Sequence, residues 1–357
     1  MSRTALRTIA GSLAAVSLLA AAPAGADARM AKGLQDIQML SDDPQDRAAF
    51  FADAKSSRAT TVRVLVKWDG RSEEAPLDQI TRIRRAAEEG REANVRLLVG
   101  SYVTMGRGKR AGAKVPARTQ TRYVRFMGDV AKQLSDLPLA GYLTFNEPNY
   151  RTAWPTRRER EWVRLSNRVY TAMKRADRGA KVLVGEAAPN TRSGDAATNP
   201  GAFFRKALYL DANYKPTSRS KAARTKLLGD GFTLHTYDFV RSPTKATTAT
   251  DQWTHGNLKT TVAQVKRLAR AGRLSGTAAR NIHITEFAYR TAGGHRTPDA
   301  RAARYLRSAF ASAKRSRIKT FIWYQVRDPK GRSDWKSGLR TSSGKARKTW
   351  SVWRRLR

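Results

Sequence analysis

Residues 139–149, LAGYLTFNEPN, form an apolar run that closes on a carboxylate, Glu147, followed by a proline. A glutamate at the end of a buried strand is costly unless something uses it. The place of this run in a fold, and the partner of Glu147, follow from what surrounds it.

Apolar segments of strand length recur on both sides: 33–40, 61–68, 95–103, 180–187, 231–239, 281–287 and 318–325. Helix-period segments lie between them. One, near 157–176, opens with Thr156-Arg-Arg-Glu159, the pattern of a capping box. Another, near 298–315, has Thr297 as its cap, Pro298 in its first turn, and Ala302, Tyr305, Leu306 and Ala309 on one face. A third, 257–271, aligns Leu258, Val262, Val265 and Leu268. Eight such alternations in about 330 residues predict an α/β chain folded as a (β/α)8 TIM barrel, one domain over 27–357. The connections after strands are long (103–118, 188–199, 240–256, 326–345) and most of those before strands are short. A barrel builds its site from such loops at the strand C-termini. A doubly wound sheet would want a glycine-rich turn after an early strand, and the sequence supplies none.

Residues 1–26 have the form of a secretory signal: Arg3 and Arg7, an apolar stretch Ile9–Ala22, and the small-residue site Ala24-Gly-Ala26. Export, in a bacterial setting, is the expectation. The chain has no cysteine, which removes thiol catalysis and thiolate metal sites. Its four histidines, His235, His255, His283 and His295, lack metal-ligand spacing, so no metal or other cofactor is expected. Lysine and arginine number 69 against 29 acidic residues, a formal charge of +40. Such a field attracts polyanions and anionic cell surfaces. The basic residues are spread over nearly every predicted element, which points to a solvated, arginine-rich surface or, if the charge is used, to general surface adhesion in preference to acidic-substrate specificity. No specific nucleic-acid partner is expected, and the chain is expected to be a monomer.

Chemistry-bearing residues fall at the strand ends. Glu147 ends the fourth strand and Glu286 the seventh, in Ile282-His-Ile-Thr-Glu-Phe287. Strict alternation would put Ile282, Ile284 and Glu286 on one face. Strands four and seven lie across a closed barrel, so these carboxylates should face each other over its mouth. That pair is the equipment of a glycosidase: one carboxyl protonates the leaving oxygen, the other attacks the sugar carbon.

With these residues in place the sequence resembles the clan A retaining glycoside hydrolases on (β/α)8 barrels, most like family 5, with family 39 close by. The motif match runs along most of the chain after the leader. NEPN resembles the clan's acid/base strand and implies Glu147 as proton donor, with Asn146 on the sugar 2-hydroxyl. ITEF resembles the nucleophile strand and implies Glu286. VRV resembles the strand-two arginine, here Arg63, that steadies the nucleophile. LHTYDF resembles the His-x-Tyr of strand six, giving His235 and Tyr237. FIWYQ resembles the strand-eight segment whose tryptophan, here Trp323, floors the sugar site. The third strand ends Val99-Gly-Ser-Tyr102, without the histidine many family 5 members carry there. The resemblance implies hydrolysis of a β-linked oligo- or polysaccharide by double displacement, with carboxyl groups about 5–5.5 Å apart. It also implies a cis bond between Trp323 and Tyr324.

Glu186 reads as a supporting or loop carboxylate and His283 as a packing residue turned away from Glu286. Asp36 either touches the site or closes a hydrogen bond to a neighbouring strand. Trp68, Trp154, Trp253 and Trp335 are candidates for stacking on sugar rings, whereas Trp350 and Trp353 read as packing. The competing expectation is an inactive barrel that binds carbohydrate or adheres to polyanions.

Overall fold

The eight apolar segments pair in sequence order, all parallel, and the last pairs with the first. In the computed structural model, which describes residues 30–189, 196–331 and 335–357, the strands are β1 (Ala31–Gln35), β2 (Thr61–Lys67), β3 (Arg96–Tyr102), β4 (Gly141–Leu143), β5 (Val182–Ala187), β6 (Gly231–His235), β7 (Ile282–Phe287) and β8 (Thr320–Tyr324). The expected leader, residues 1–26, lies outside the described residues. Helices cover the outside: α1 (Pro44–Ser57), α2 (Leu77–Glu92), α3 (Ala117–Gln133), α4 (Glu159–Ala176), α5 (Pro200–Ala207), α6 (Leu258–Arg270), α7 (Gly276–Arg280), α8 (Asp299–Arg315) and α9 (Lys348–Arg355). The (β/α)8 barrel expected from the alternation is the fold.

The helices form because each carries an apolar stripe at helical spacing. On α8, Ala302, Leu306, Ala309, Phe310 and Ala313 are buried against the strands. Two expected caps do not form. α4 starts at Glu159 itself, and this carboxylate accepts from the Arg157 N–H at 3.3 Å. Thr297 precedes α8 but donates its hydroxyl to the Phe239 carbonyl, tying the loop after β6 to that after β7.

The apolar core is in two parts. A large layer fills the space between strands and helices, and a small plug of Leu98, Leu143, Leu183 and Ile322 fills the barrel interior. The polar residues described below are joined in one network at the C-terminal ends of the strands, and irregular strand geometry aims them. Register shifts occur in β5 between Val184 and Ala187, in the β6–β7 pairing after Leu234, and in β7 between Ile284 and Phe287. A bulge breaks period-2 alternation. Ile282 and Ile284 therefore join the outer core, while Thr285 and Glu286 both reach the network inside. Gly185 makes the β5 bulge possible. Its φ is +131°, and a Cβ there would lie 2.4 Å from the Thr233 carbonyl oxygen.

Gly185→Ala should therefore cost more stability than Gly70→Ala. Gly70 also has a positive φ, +87°, but nothing within 4 Å of its missing Cβ. Urea unfolding should give about 1–2 kcal/mol for Gly70→Ala, from the backbone alone, and clearly more for Gly185→Ala. Equal losses would mean that the close approach to Thr233 is not what requires the glycine.

Candidate active site

The site is organised around Arg63, the third residue of β2, which is fully buried. All five of its N–H donors are used. Nε donates to Glu186 at 3.1 Å, and Nη1 donates to Gln35 at 2.8 Å and Glu286 at 2.5 Å. Nη2 donates to Asn146 at 2.7 Å and also to Glu186. A buried guanidinium costs several kcal/mol (about that order) unless it is paired and hydrogen-bonded on every side. Burial works against its charge, but the Glu186 and Glu286 carboxylates outweigh that and raise its pKa further.

Glu186 is likewise fully buried. Its Oε2 takes the Arg63 bonds and its Oε1 accepts the Thr285 hydroxyl. Burial pushes its pKa up, but Arg63 and His235 overcome this and hold it at about 2. His235 lies between three carboxylates. Its Nδ1 is 3.0 Å from Glu147 Oε1 and 3.5 Å from Glu286 Oε2, and its Nε2 is 3.4 Å from Glu186 Oε2. The last contact lacks hydrogen-bond alignment. Burial disfavours the imidazolium, yet the charges of Glu286 and Glu186 raise the His235 pKa to about 10.

Both oxygens of Glu286 are held: Oε1 by Arg63 and Oε2 by the Tyr237 hydroxyl at 2.8 Å. Burial and the facing Glu286 charge raise the Tyr237 pKa well above its ordinary value, so it stays a donor. Glu147 is more open, its side chain 28% exposed, and its backbone has φ +46°. Glu186 (+55°) and Gln325 (+70°) share that conformation. Non-glycine residues hold it at a cost of about 1–3 kcal/mol each, characteristic of functional sites. Asn146 commits its Oδ1 to Arg63, so its Nδ2 is what it can offer a ligand.

The structure thus brings Arg63, Asn146, Glu147, His235, Tyr237 and Glu286 together. Trp323 is not among them. It is 1% exposed, donates to the Ser337 carbonyl, and packs against Phe287 and Trp353 on the outer side of β8. Alternation along β8 turns the next residue inward: Tyr324 meets Tyr237 edge-on at 6.4 Å. The bond between Trp323 and Tyr324 is trans, since there is no cis peptide among the described residues. Of the tryptophans considered for stacking, Trp68, Trp154 and Trp253 are buried in the core. Trp335 alone stands beside Tyr237 and Tyr324, at 5.2 and 6.0 Å.

Asp36 accepts the N–H groups of Gln38, Val326 and Arg327 and so clasps the loop after β1 to that after β8. His283 bonds Thr320 at 3.0 Å. Of the two readings open for Glu186, the supporting carboxylate is the one the structure shows; sequence reasoning assigned no role to Gln35 or Tyr324. The signal for Glu186 was Gly185 inside a strand, a mark of a bulge.

A cleft of about 580 Å³ opens beside Arg63, lined among others by Gln35, Asp36, Tyr102, Tyr324 and Arg327. One atom each of Glu147, His235 and Glu286 lie within 4.8 Å of one another, close enough to hold a cation. A protonated imidazole has no lone pair to give a metal, however, and Arg63 already occupies Glu286. The arrangement suits proton transfer and nucleophilic attack better than ligation.

No family model and no curated protein sequence matches the chain. Solved structures do. A family 39 glycoside hydrolase from Bacteroides cellulosilyticus WH2 superposes with TM-score 0.64 at 14% identity, over 90% of this chain and 62% of that one. The exo-β-1,4-mannosidase of Opitutaceae bacterium strain TAV5 gives 0.57 at 15%, over 91% and 58%. Thermotoga maritima Cel5A, in complex with a mannotriose substrate, gives 0.57 at 11%, over 91% and 97%. The fold is that of family 39 and family 5 glycoside hydrolases. The chain spans about three fifths of the first two neighbours and nearly all of the third.

The two buried charges set opposite pH limits. His235 has a raised folded-state pKa, so its stabilisation is fully present below its unfolded value of 6.5 and is lost as pH rises through about 10. Glu186 has a lowered one, so its stabilisation is present above 4.5 and is lost as pH falls through about 2. Melting temperatures across pH should show the advantage of wild type over His235→Gln shrinking on the alkaline side, and that over Glu186→Gln shrinking on the acid side. Differences that stay flat with pH would contradict these charge states.

Proposed function

We propose that the protein is a retaining β-glycosidase in which Glu147 is the acid/base and Glu286 the nucleophile. The observation that carries this reading is the spacing of the two carboxylates, with an oxygen of each within 4.8 Å across the barrel mouth. Double displacement uses carboxyls about 5–5.5 Å apart, whereas inversion leaves about 6.5–9.5 Å for a water.

In the first step Glu147 protonates the glycosidic oxygen while a Glu286 oxygen attacks the anomeric carbon. The bond to the leaving group breaks and a glycosyl ester forms. Arg63 and Tyr237 hold Glu286 in place as its charge is consumed. The Nδ2 of Asn146 donates to the sugar 2-hydroxyl, an interaction that strengthens as the ring gains oxocarbenium character. In the second step Glu147 takes a proton from water, the water oxygen attacks the anomeric carbon, and Glu286 is released as carboxylate. Tyr324 and Trp335 supply the aromatic wall that Trp323 does not. The substrate is a β-linked carbohydrate. Residues 1–26 support export, and the +40 charge supports attachment to anionic surfaces, by a monomer.

Two measurements test the reading. Glu286→Ala should bring turnover of aryl β-glycosides to background, and an unchanged rate would end the assignment. Proton NMR of the first sugar released by wild type should show the β anomer. An α anomer appearing first would replace double displacement with inversion.

A further inference from the structure

The loops that follow the strands differ in how far their charges are compensated. The loop between β1 and α1, residues 36–43, carries Asp36, Asp42 and Asp43, of which Asp36 is buried on backbone N–H groups and Asp42 is paired with Arg82 and Arg85. The loop after β3, residues 103–118, carries Arg107, Lys109, Arg110, Lys114 and Arg118 and no acid. Arg107, Arg110 and Lys114 are exposed, and none of Arg107, Lys109, Arg110 and Lys114 has a carboxylate within ion-pair distance among the described residues.

This basic loop is fastened to the loop that starts at Glu147. The N–H of Gly106 donates to the Thr152 carbonyl and that of Gly112 to the Thr156 carbonyl, while Arg158 Nε donates to the Gly112 carbonyl at 2.7 Å. At Gly106 the two backbones touch: a Cβ there would lie 1.8 Å from the Arg151 carbonyl oxygen. The β4 loop adds Arg151, Arg157 and Arg158 of its own. These cations are therefore held on the Glu147 side of the mouth, whereas the cleft beside Arg63 is lined by both signs, Asp36, Asp46 and Asp328 with Arg327 and Lys330.

A general acid stands next to the oxygen it protonates, so the leaving half of the substrate lies on the Glu147 side. We infer that this leaving half is anionic, bearing carboxylate or sulfate groups. The inference rests on the glycosidase reading above. Fixed cations beside a site raise encounter with an opposite charge, and salt weakens the effect.

The test uses two aryl β-glycosides of each of glucose, mannose and xylose, one with a 4-nitrophenyl and one with a 3-carboxy-4-nitrophenyl leaving group. For the carboxylate substrate, kcat/KM of wild type should fall about threefold or more between about 50 and 300 mM NaCl, while the neutral substrate barely responds. Changing Arg107, Lys109, Arg110 and Lys114 together to Gln should give the same loss at low salt for the carboxylate substrate alone. A control variant removes charge from the arginine-lined cleft at the other end of the barrel, changing Arg58, Arg354 and Arg355 to Gln. It should leave both rates unchanged. Turnover with no difference between the two leaving groups in salt response, or equal losses in the loop and control variants, would overturn the inference and leave the glycosidase standing. No turnover of any β-glycoside would overturn both.

Discussion

One guanidinium organises the mouth of this barrel. Arg63 is buried without exposure and places each of its five N–H groups on an oxygen. Each partner comes from a different strand or strand end: Gln35, Asn146, Glu186 and Glu286 from β1, β4, β5 and β7. A planar fork of fixed geometry therefore sets where four side chains stand relative to one another. Two of them are carboxylates, and His235, its pKa raised to about 10 by the charges of Glu286 and Glu186, stands beside them as a second cation. Removing Arg63 would leave buried anions uncompensated, which is far more costly than never burying them. The same argument explains why Glu186 is present. It takes two of the Arg63 bonds, so that Nη1 is turned to Glu286 and Nη2 to Asn146.

The backbone carries the strain of this arrangement. Glu147, Glu186 and Gln325 hold positive φ at the ends of β4, β5 and β8, and the ladders of β5 and β7 slip where Glu186 and Glu286 turn inward. Regular strands would present alternate residues only. The bulges let neighbouring positions such as Thr285 and Glu286 both reach the polar network above the leucine plug. Stability is given up locally, and the large outer core between strands and helices is what sustains it.

Much of this was legible in the sequence. Eight alternating segments were enough for the barrel, because apolar runs of strand length and amphipathic helices have different periods. Glu147 and Glu286 could be placed at strand ends because NEPN and ITEF close apolar runs. What failed was side-chain direction wherever the strand is irregular. Glu186 could be read as a supporting or a loop carboxylate, because strict alternation cannot see the bulge at Gly185 that turns it to Arg63. Trp323 looked like the floor of the site, but period-2 order along β8 carries Ile322 and Tyr324 inward and leaves Trp323 among Phe287 and Trp353. Thr297 looked like a cap, yet its hydroxyl is spent on the Phe239 carbonyl, and Thr156 stands ahead of a helix that starts only at Glu159. Trp68, Trp154 and Trp253 follow the same pattern, as aromatic area near a strand end went to the core.

The central claim is that Glu286 forms a covalent bond to the sugar. Mass spectrometry of the protein after incubation with a 2-deoxy-2-fluoro β-glycoside carrying a good leaving group tests it directly. Fluorine at that carbon disfavours the oxocarbenium-like transition states, and the good leaving group lets the first step outrun the second. The account predicts one added fluoroglycosyl mass, located on the peptide containing Glu286. An adduct on Glu147 or Glu186, or turnover of the reagent with no adduct at all, would contradict it.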